Sequence, residues 1–117
     1  MTYALPQRKK RQRFGIRQEP QIRCESHLKW VRGHECLCAK YSKCEGRIEA
    51  AHVRRGTDGG MGVKPSDVWT VPLCEGHHRE QHGVGEQTFE FLYQFDMKKI
   101  AEELARRSPH RNKWSKP

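Results

Sequence analysis

Residues 74–82, CEGHHREQH, carry one cysteine and three histidines within nine positions. Thiolate sulfur and imidazole nitrogen are the ligands that zinc prefers in proteins. On a helix, residues four apart lie on one face, so His78 and His82 would point together. His77 points elsewhere and follows Cys74 by about one turn, a spacing at which a turn and a helix start can share one ion. The stretch therefore predicts a helix with two ion-binding faces.

A closed zinc site needs four ligands, so Cys74 and His77 require two more from the earlier stretch CLCAKYSKC. Cys36 and Cys38 are separated by a single residue, closer than in the usual zinc knuckle, so we do not expect both to bind the same ion. Cys36 with Cys44 is the first choice and Cys38 with Cys44 is the substitute. A site of four cysteines without His77 is the third possibility.

The composition favours a zinc-stabilised domain. The chain has 117 residues, is 34% apolar and has a mean hydropathy of −1.01, which leaves little material for a large core. Five cysteines, an odd number, argue against a complete disulfide framework, and residues 1–30 contain no apolar run typical of a signal peptide. We therefore expect the reducing cytoplasm and a metal site, with Cys24 as a spare, inert thiol.

The charge indicates a polyanionic partner. Lys and Arg total 23 against 14 Asp and Glu, a formal net charge of +9, and residues 8–13 (RKKRQR) concentrate part of it. Such an excess on a small protein favours nucleic acid. No stretch approaches the length of a membrane span, so no membrane partner is expected.

An arm, helices and strands must position these residues. Residues 1–22 are basic and poor in apolar residues, which predicts a flexible arm. A short helix is predicted after them, with Ser26 as its N-cap. Strands are predicted at residues 47–53 and 68–73, the second stopping at Pro72 or lying at an edge, and a helix at residues 75–81.

Two more helices are predicted near the carboxyl terminus, because apolar residues recur there at helical spacing. Asp96 is the predicted N-cap of the second. The residues expected to face the core are Phe89, Leu92, Tyr93, Met97, Ile100, Ala101 and Leu104.

A histidine that ends a strand, a glycine-rich loop, a second strand and a helix with LCxxHHxxxH follow one another here. This arrangement resembles the HNH endonucleases of the ββα-metal superfamily, and more closely small phage and prophage HNH proteins that include the Ref-like nucleases. The resemblance covers about residues 26–95 and rests jointly on the segments SHLKWVRGHEC, IEAAHVRRG, GMGVKPSD and WTVPLCEGHHREQHGVGEQTFE.

The resemblance implies an α+β fold: a small zinc-stabilised ββα-metal, treble-clef-like domain over residues 23–107, with flanking helices and a basic tail at 108–117. It also implies hydrolysis of DNA phosphodiester bonds to 5′-phosphate and 3′-hydroxyl ends. His52 would be the general base, since an imidazole accepts a proton near neutral pH. His78 and His82 would bind Mg²⁺, Mn²⁺ or a similar ion at the scissile phosphate.

Two positions depart from the family pattern. The residue before the general base is usually an Asp or His metal ligand, but here it is Ala51, so waters, Glu49 or Asp67 would have to complete the site. The Asn that orients the base aligns with Trp69, which cannot accept a hydrogen bond. Asp67 or a backbone carbonyl would then orient His52.

Several basic residues are candidate phosphate contacts: Arg54, Arg55 and Lys64 beside the predicted site, and Arg8, Lys9, Lys10 and Arg11 in the arm.

The expected partners are DNA and a recombination or phage DNA-processing protein, in the cytoplasm of a bacterial or phage-infected cell. The alternative function is a non-catalytic zinc module that binds DNA or assists recombination. A zinc-containing protein-interaction module is the third reading, for which salt would hardly alter binding.

Overall fold

A computed structural model of the protein describes residues 21–59 and 63–114. In chain order these residues form α1 (Glu25–Arg32), β1 (Ile48–His52), β2 (Thr70–Cys74), α2 (Glu75–Val84), α3 (Glu86–Tyr93), α4 (Met97–Arg107) and a short 3₁₀ turn (Arg111–Lys113). The described part is thus a small α+β fold, as predicted. Among its helices, none has the length and apolar character needed to cross a membrane.

The two strands form an antiparallel pair in which His52 lies opposite Thr70 and Ile48 lies opposite Cys74. Every residue of β2 is buried, and α2 begins at the residue that follows β2. The register therefore puts His52 and Cys74 at opposite ends of the strand pair. A short helix that begins just after Cys74 can then place different side chains near each of them.

The second strand begins two residues later than predicted, at Thr70. A turn occupies the preceding residues, where the Trp69 N–H donates to the Ser66 carbonyl and the Thr70 hydroxyl donates to the Asp67 carbonyl, at 3.0 and 2.9 Å. This turn fixes Asp67 just before the strand.

Pro72 lies inside β2 opposite Ala50, so the prediction that it stops the strand is wrong, whereas its edge position holds. In a two-stranded sheet each strand has an outer edge, where a missing N–H breaks no ladder hydrogen bond. The Pro72 carbonyl accepts a hydrogen bond from the Leu37 N–H at 3.0 Å. This bond ties the cysteine-containing loop to β2.

The first helix is capped by Cys24, so the predicted N-cap at Ser26 is wrong. The Cys24 carbonyl accepts from the N–H groups of His27 and Leu28, while the Cys24 N–H donates to Asp67 at 2.8 Å. Because this contact holds the chain before Glu25, the helix starts earlier than the Ser26 signal predicts.

The core lies between the sheet and the helices. Its buried members include Val31, Ala51, Val53, Val71, Leu73, Phe89, Met97 and Ala101. The prediction that Leu92 faces the core is wrong, because it is 53% exposed.

Asp96 caps α4 as predicted, since its carboxylate accepts from the Lys99 N–H at 3.2 Å. At the other end of the described chain, Ser108 is buried and its hydroxyl lies 2.9 Å from Nδ1 of His27.

Candidate metal centre and histidine groove

Three cysteines and one histidine converge at the start of α2. Cys36 and Cys44 come from the loop between α1 and β1, Cys74 ends β2, and His77 lies in the first turn of α2. Their ligand atoms all lie within 4.8 Å of one another. His77 Nδ1 is 3.1 Å from Cys74 Sγ, 3.5 Å from Cys36 Sγ and 3.8 Å from Cys44 Sγ. This Cys₃His cluster could hold a metal ion such as zinc, and it is the first of the predicted ligand sets.

Local hydrogen bonds lower the pKa of the Cys74 thiol. Burial raises the pKa of its thiol, but the N–H groups of His77 and Glu45, each 3.4 Å from Sγ, outweigh burial and bring the pKa to about 7. At Cys44, burial and then the neighbouring Cys74 and Cys36 thiols raise the pKa to about 12. A bound cation would therefore help to hold the Cys44 sulfur as a thiolate.

The His77 ring is oriented from both sides. Its Nδ1 faces the sulfurs, and its Nε2 lies 2.6 Å from the Ser42 hydroxyl. A hydrogen bond on the far nitrogen is the usual way in which a metal-binding histidine is held in one orientation. The sequence does not predict this role for Ser42, because the contact spans 35 positions.

The other two cysteines lie outside the cluster. All five are free thiols. Cys38 is buried, its N–H donates to Cys36 Sγ at 3.4 Å, and burial raises the pKa of its thiol. Cys24 is buried beside Ser26, with 3.4 Å between Sγ and the hydroxyl. The alternative ligand sets, with Cys38 in place of Cys36 or with four cysteines, are therefore not the ones that the fold assembles.

At the opposite end of the strand pair, His52 contacts a buried carboxylate. His52 Nε2 lies 2.9 Å from Asp67 Oδ1, and the Asp67 side chain is 4% exposed. Burial lowers the pKa of His52 against the opposing effect of Asp67. Burial alone would raise the pKa of Asp67, but hydrogen bonds from His52 and the Cys24 N–H lower it on balance. An ionised carboxylate can only accept, so a neutral His52 in this contact carries its proton on Nε2.

On α2, His78 and His82 lie together, with 3.3 Å between their Nε2 atoms. The other nitrogen of His78, Nδ1, is 2.7 Å from Glu49 Oε1 on β1. Two nitrogens that bind one ion at about 2.0–2.1 Å lie roughly 3 Å apart, so this spacing suits a shared ion. Glu49 contacts the remote nitrogen of His78, which makes it a residue that orients the ring.

Two shallow grooves are lined by these histidines. One, of about 510 Å³, is lined by His52 and His82. A second, of about 330 Å³, is lined by Glu49, His78 and His82. His82 lines both, so the groove at the predicted base and the groove at the predicted ion-binding pair share this residue.

Ala51 and Trp69, the two positions that depart from the HNH pattern, differ in their surroundings. Ala51 is fully buried in the core, so it offers neither a ligand nor space for one. Trp69 is half-buried, and the Lys98 ammonium lies 5.8 Å from the centre of its ring. Its carbonyl accepts from the Val53 N–H at 2.8 Å, so its backbone closes the strand pair next to His52.

Two of the predicted phosphate contacts have glutamate partners, Arg54 through its backbone and Arg55 through its backbone and its side chain. The Glu86 carboxylate accepts from the N–H groups of Arg54 and Arg55, at 2.7 and 2.9 Å, and the Arg55 guanidinium pairs with Glu90 at 3.0 Å. Lys64 is exposed. The other predicted contacts, Arg8, Lys9, Lys10 and Arg11, lie outside the described residues.

Comparison with known proteins gives two matches. The model of a family described as "Protein of unknown function (DUF968)" matches residues 9–107. A protein of Escherichia coli (strain K12) named "Uncharacterized protein YdfU" is 33% identical over 58 residues, which are 50% of this chain and 16% of that protein. The aligned stretch is thus a small part of the relative. No solved structure matches the chain.

Proposed function

We propose that this chain, which belongs to the DUF968 family, is a metal-dependent DNA endonuclease of the HNH type with a separate structural zinc. The observation that carries the proposal is the surface shared by His52 and His82, together with the 3.3 Å between His82 and His78. A general base beside an ion-binding pair is what phosphodiester hydrolysis requires. The family match includes all of these residues.

The proposed fold is the ββα-metal, treble-clef-like one. Its support is the order of elements: an antiparallel strand pair followed without a linker by α2. Cys36, Cys44, Cys74 and His77 would hold zinc, since three thiolates and one imidazole fill a tetrahedral structural site. Zinc binding at this site would add stability that the small hydrophobic core does not supply.

His52 would take the proton from the attacking water. Asp67 accepts from Nε2, so Nδ1 keeps its lone pair and is the basic nitrogen. Burial lowers the pKa of His52, which keeps the ring neutral and able to accept a proton at pH 7. Asp67 in this role replaces the Asn for which the chain has Trp69.

His78 and His82 would hold a Mg²⁺ or Mn²⁺ ion through their Nε2 atoms. The ion would supply positive charge that stabilises the scissile phosphate and the leaving 3′ oxygen. Glu49 would hold His78 in the binding orientation by accepting from Nδ1. The remaining coordination positions would be left to water and to DNA oxygens.

Replacing Glu49 by glutamine should weaken Mn²⁺ binding by about 10–100-fold, the usual cost of losing a residue that orients a metal-binding histidine. Titration calorimetry on the zinc-loaded protein measures this. Glu102→Gln is the matched control, because Glu102 is an exposed glutamate on α4. Equal Mn²⁺ affinities for Glu49→Gln and wild type would show that Glu49 does not support the ion.

DNA is the proposed substrate because the net charge is +9 and a basic segment at residues 8–13 precedes the described domain. Lys64, Arg54 and Arg55 would contact phosphates near the groove. A recombination or phage DNA-processing protein is the proposed protein partner, in a bacterial or phage-infected cytoplasm.

The function is tested by incubating supercoiled plasmid with zinc-loaded protein, with and without added Mg²⁺ or Mn²⁺. We expect nicked circles only with the added ion, and their loss in His78→Ala, because one imidazole of the pair cannot hold the ion alone. His110→Ala controls for the loss of a histidine elsewhere. Absence of ion-dependent nicking by folded wild-type protein would refute the endonuclease proposal.

A second candidate is favoured by Ala51, whose methyl group is fully buried where HNH endonucleases have a metal ligand. The chain would then be a non-catalytic zinc module that binds DNA or assists recombination. It would bind DNA with an affinity that falls with salt, and it would leave plasmid intact in the same assay.

A further inference from the structure

Residues 21–24 form a strap that runs along the loop before β2. The Ile22 N–H donates to the Ser66 hydroxyl at 2.8 Å, and the Ile22 carbonyl accepts from the Asp67 N–H at 2.8 Å. The Cys24 N–H donates to Asp67 Oδ2 at 2.8 Å. The strap therefore fixes both the backbone and the carboxylate of Asp67.

Arg23 is the one strap side chain that reaches this carboxylate. Its guanidinium donates to the Pro65 carbonyl at 2.5 Å, to the Lys64 carbonyl at 3.0 Å and to Asp67 Oδ1 at 3.4 Å. These three contacts cross 41 to 44 positions of sequence. A planar, permanently charged guanidinium can hold two carbonyls and a carboxylate in one arrangement, which an ammonium cannot reproduce fully.

Asp67 Oδ1 is also the atom that contacts His52 Nε2. A buried carboxylate stays ionised only where hydrogen bonds or positive charge compensate for lost water. Arg23 supplies the positive charge, at the same Oδ1 that contacts His52, and the Cys24 N–H supplies a hydrogen bond to Oδ2. A change at Arg23 therefore reaches the imidazole through one shared oxygen.

We propose that Arg23 is a positioning residue for His52: it holds the Asp67 carboxylate so that His52 keeps its proton on Nε2 and its lone pair on Nδ1. The inference rests on the proposed function only for its effect on cleavage. The charged groups that act on His52 are Asp67, Lys64 and Arg23, and Arg54, Arg55 and Glu86 line the same groove.

The test compares wild type with Arg23→Gln and Arg23→Lys. Nitrogen-15 NMR of the histidine rings, on zinc-loaded protein without Mg²⁺ or Mn²⁺, reports the tautomer of His52. We expect the Nε2–H tautomer in wild type, a mixture of tautomers in Arg23→Gln, and an intermediate state in Arg23→Lys. Lys99→Gln removes one exposed positive charge from α4 and should leave the tautomer unchanged.

The plasmid assay gives the second readout. In Arg23→Gln, kcat should fall by at least about tenfold, since misplacing a catalytic group by even 1 Å is costly, while KM stays near the wild-type value. A wild-type tautomer in a folded Arg23→Gln protein would overturn the proposal. Because the tautomer is measured without cleavage, it decides the role of Arg23 even if wild-type protein does not nick DNA.

Discussion

Replacing His52 by alanine should lower the rate of metal-dependent plasmid nicking by about 10²–10⁴-fold, the usual contribution of a positioned general base. The variant keeps the Cys₃His cluster, which lies at the other end of the strand pair. It also keeps the His78–His82 pair, so ion binding should persist. The loss should therefore appear in kcat and not in zinc content or folding.

His34→Ala is a suitable control, because His34 is half-buried and contacts the Trp30 carbonyl, outside the groove. It should nick plasmid at the wild-type rate. A His52→Ala protein that nicks DNA as fast as wild type would remove the general base from the mechanism. Measuring zinc in both variants separates lost chemistry from lost folding.

The pH dependence of nicking gives an independent check on the same residue. The rate should rise with pH as His52 loses its proton and then level off, because only the neutral ring accepts a proton. Burial lowers the pKa of His52, so the rise should lie below the usual histidine range and the rate should be flat near pH 7. A rise centred well above neutral pH would point to a different base.

The Cys₃His cluster could be predicted from the sequence because the geometry of a tetrahedral metal site limits the choice of ligands. Cys74 and His77 share one turn, and the loop before β1 has few possible partners for them. Spacing alone left Cys36 and Cys38 as alternatives. The fold decides between them by turning Cys36 toward His77, a choice that depends on loop conformation and not on residue type.

The residues that surround the histidines were harder to predict from the sequence. Glu49 orients His78 across 29 positions, and Arg23 reaches Asp67 across 44. Such contacts follow from the packing of the strap and the strand pair, and no local pattern in the chain marks them. The predicted starts of α1 and β2 were wrong for the same reason. Asp67 accepts from the Cys24 N–H, and its carbonyl forms part of the turn before Thr70.

Replacing Cys74 by serine should unfold the domain. Cys74 ends β2, caps α2 by accepting from the His77 N–H, and belongs to the Cys₃His cluster. Structural zinc contributes about 10–16 kcal/mol of apparent binding free energy in small domains. That is as much as the roughly 5–15 kcal/mol by which native proteins are stable. A chain that loses the ion therefore has too little core left to stay folded.

Substitutions of two other cysteines serve as controls, because they remove a buried thiol without removing a ligand of the cluster. Cys24→Ser and Cys38→Ala also change buried cysteines, but both lie outside the cluster. They should keep one zinc per chain by elemental analysis and a cooperative thermal transition by circular dichroism. Cys74→Ser should lack both. The assignment would be overturned if Cys38→Ala lost the zinc while Cys36→Ala kept it, because the ion would then be held by the substitute ligand set.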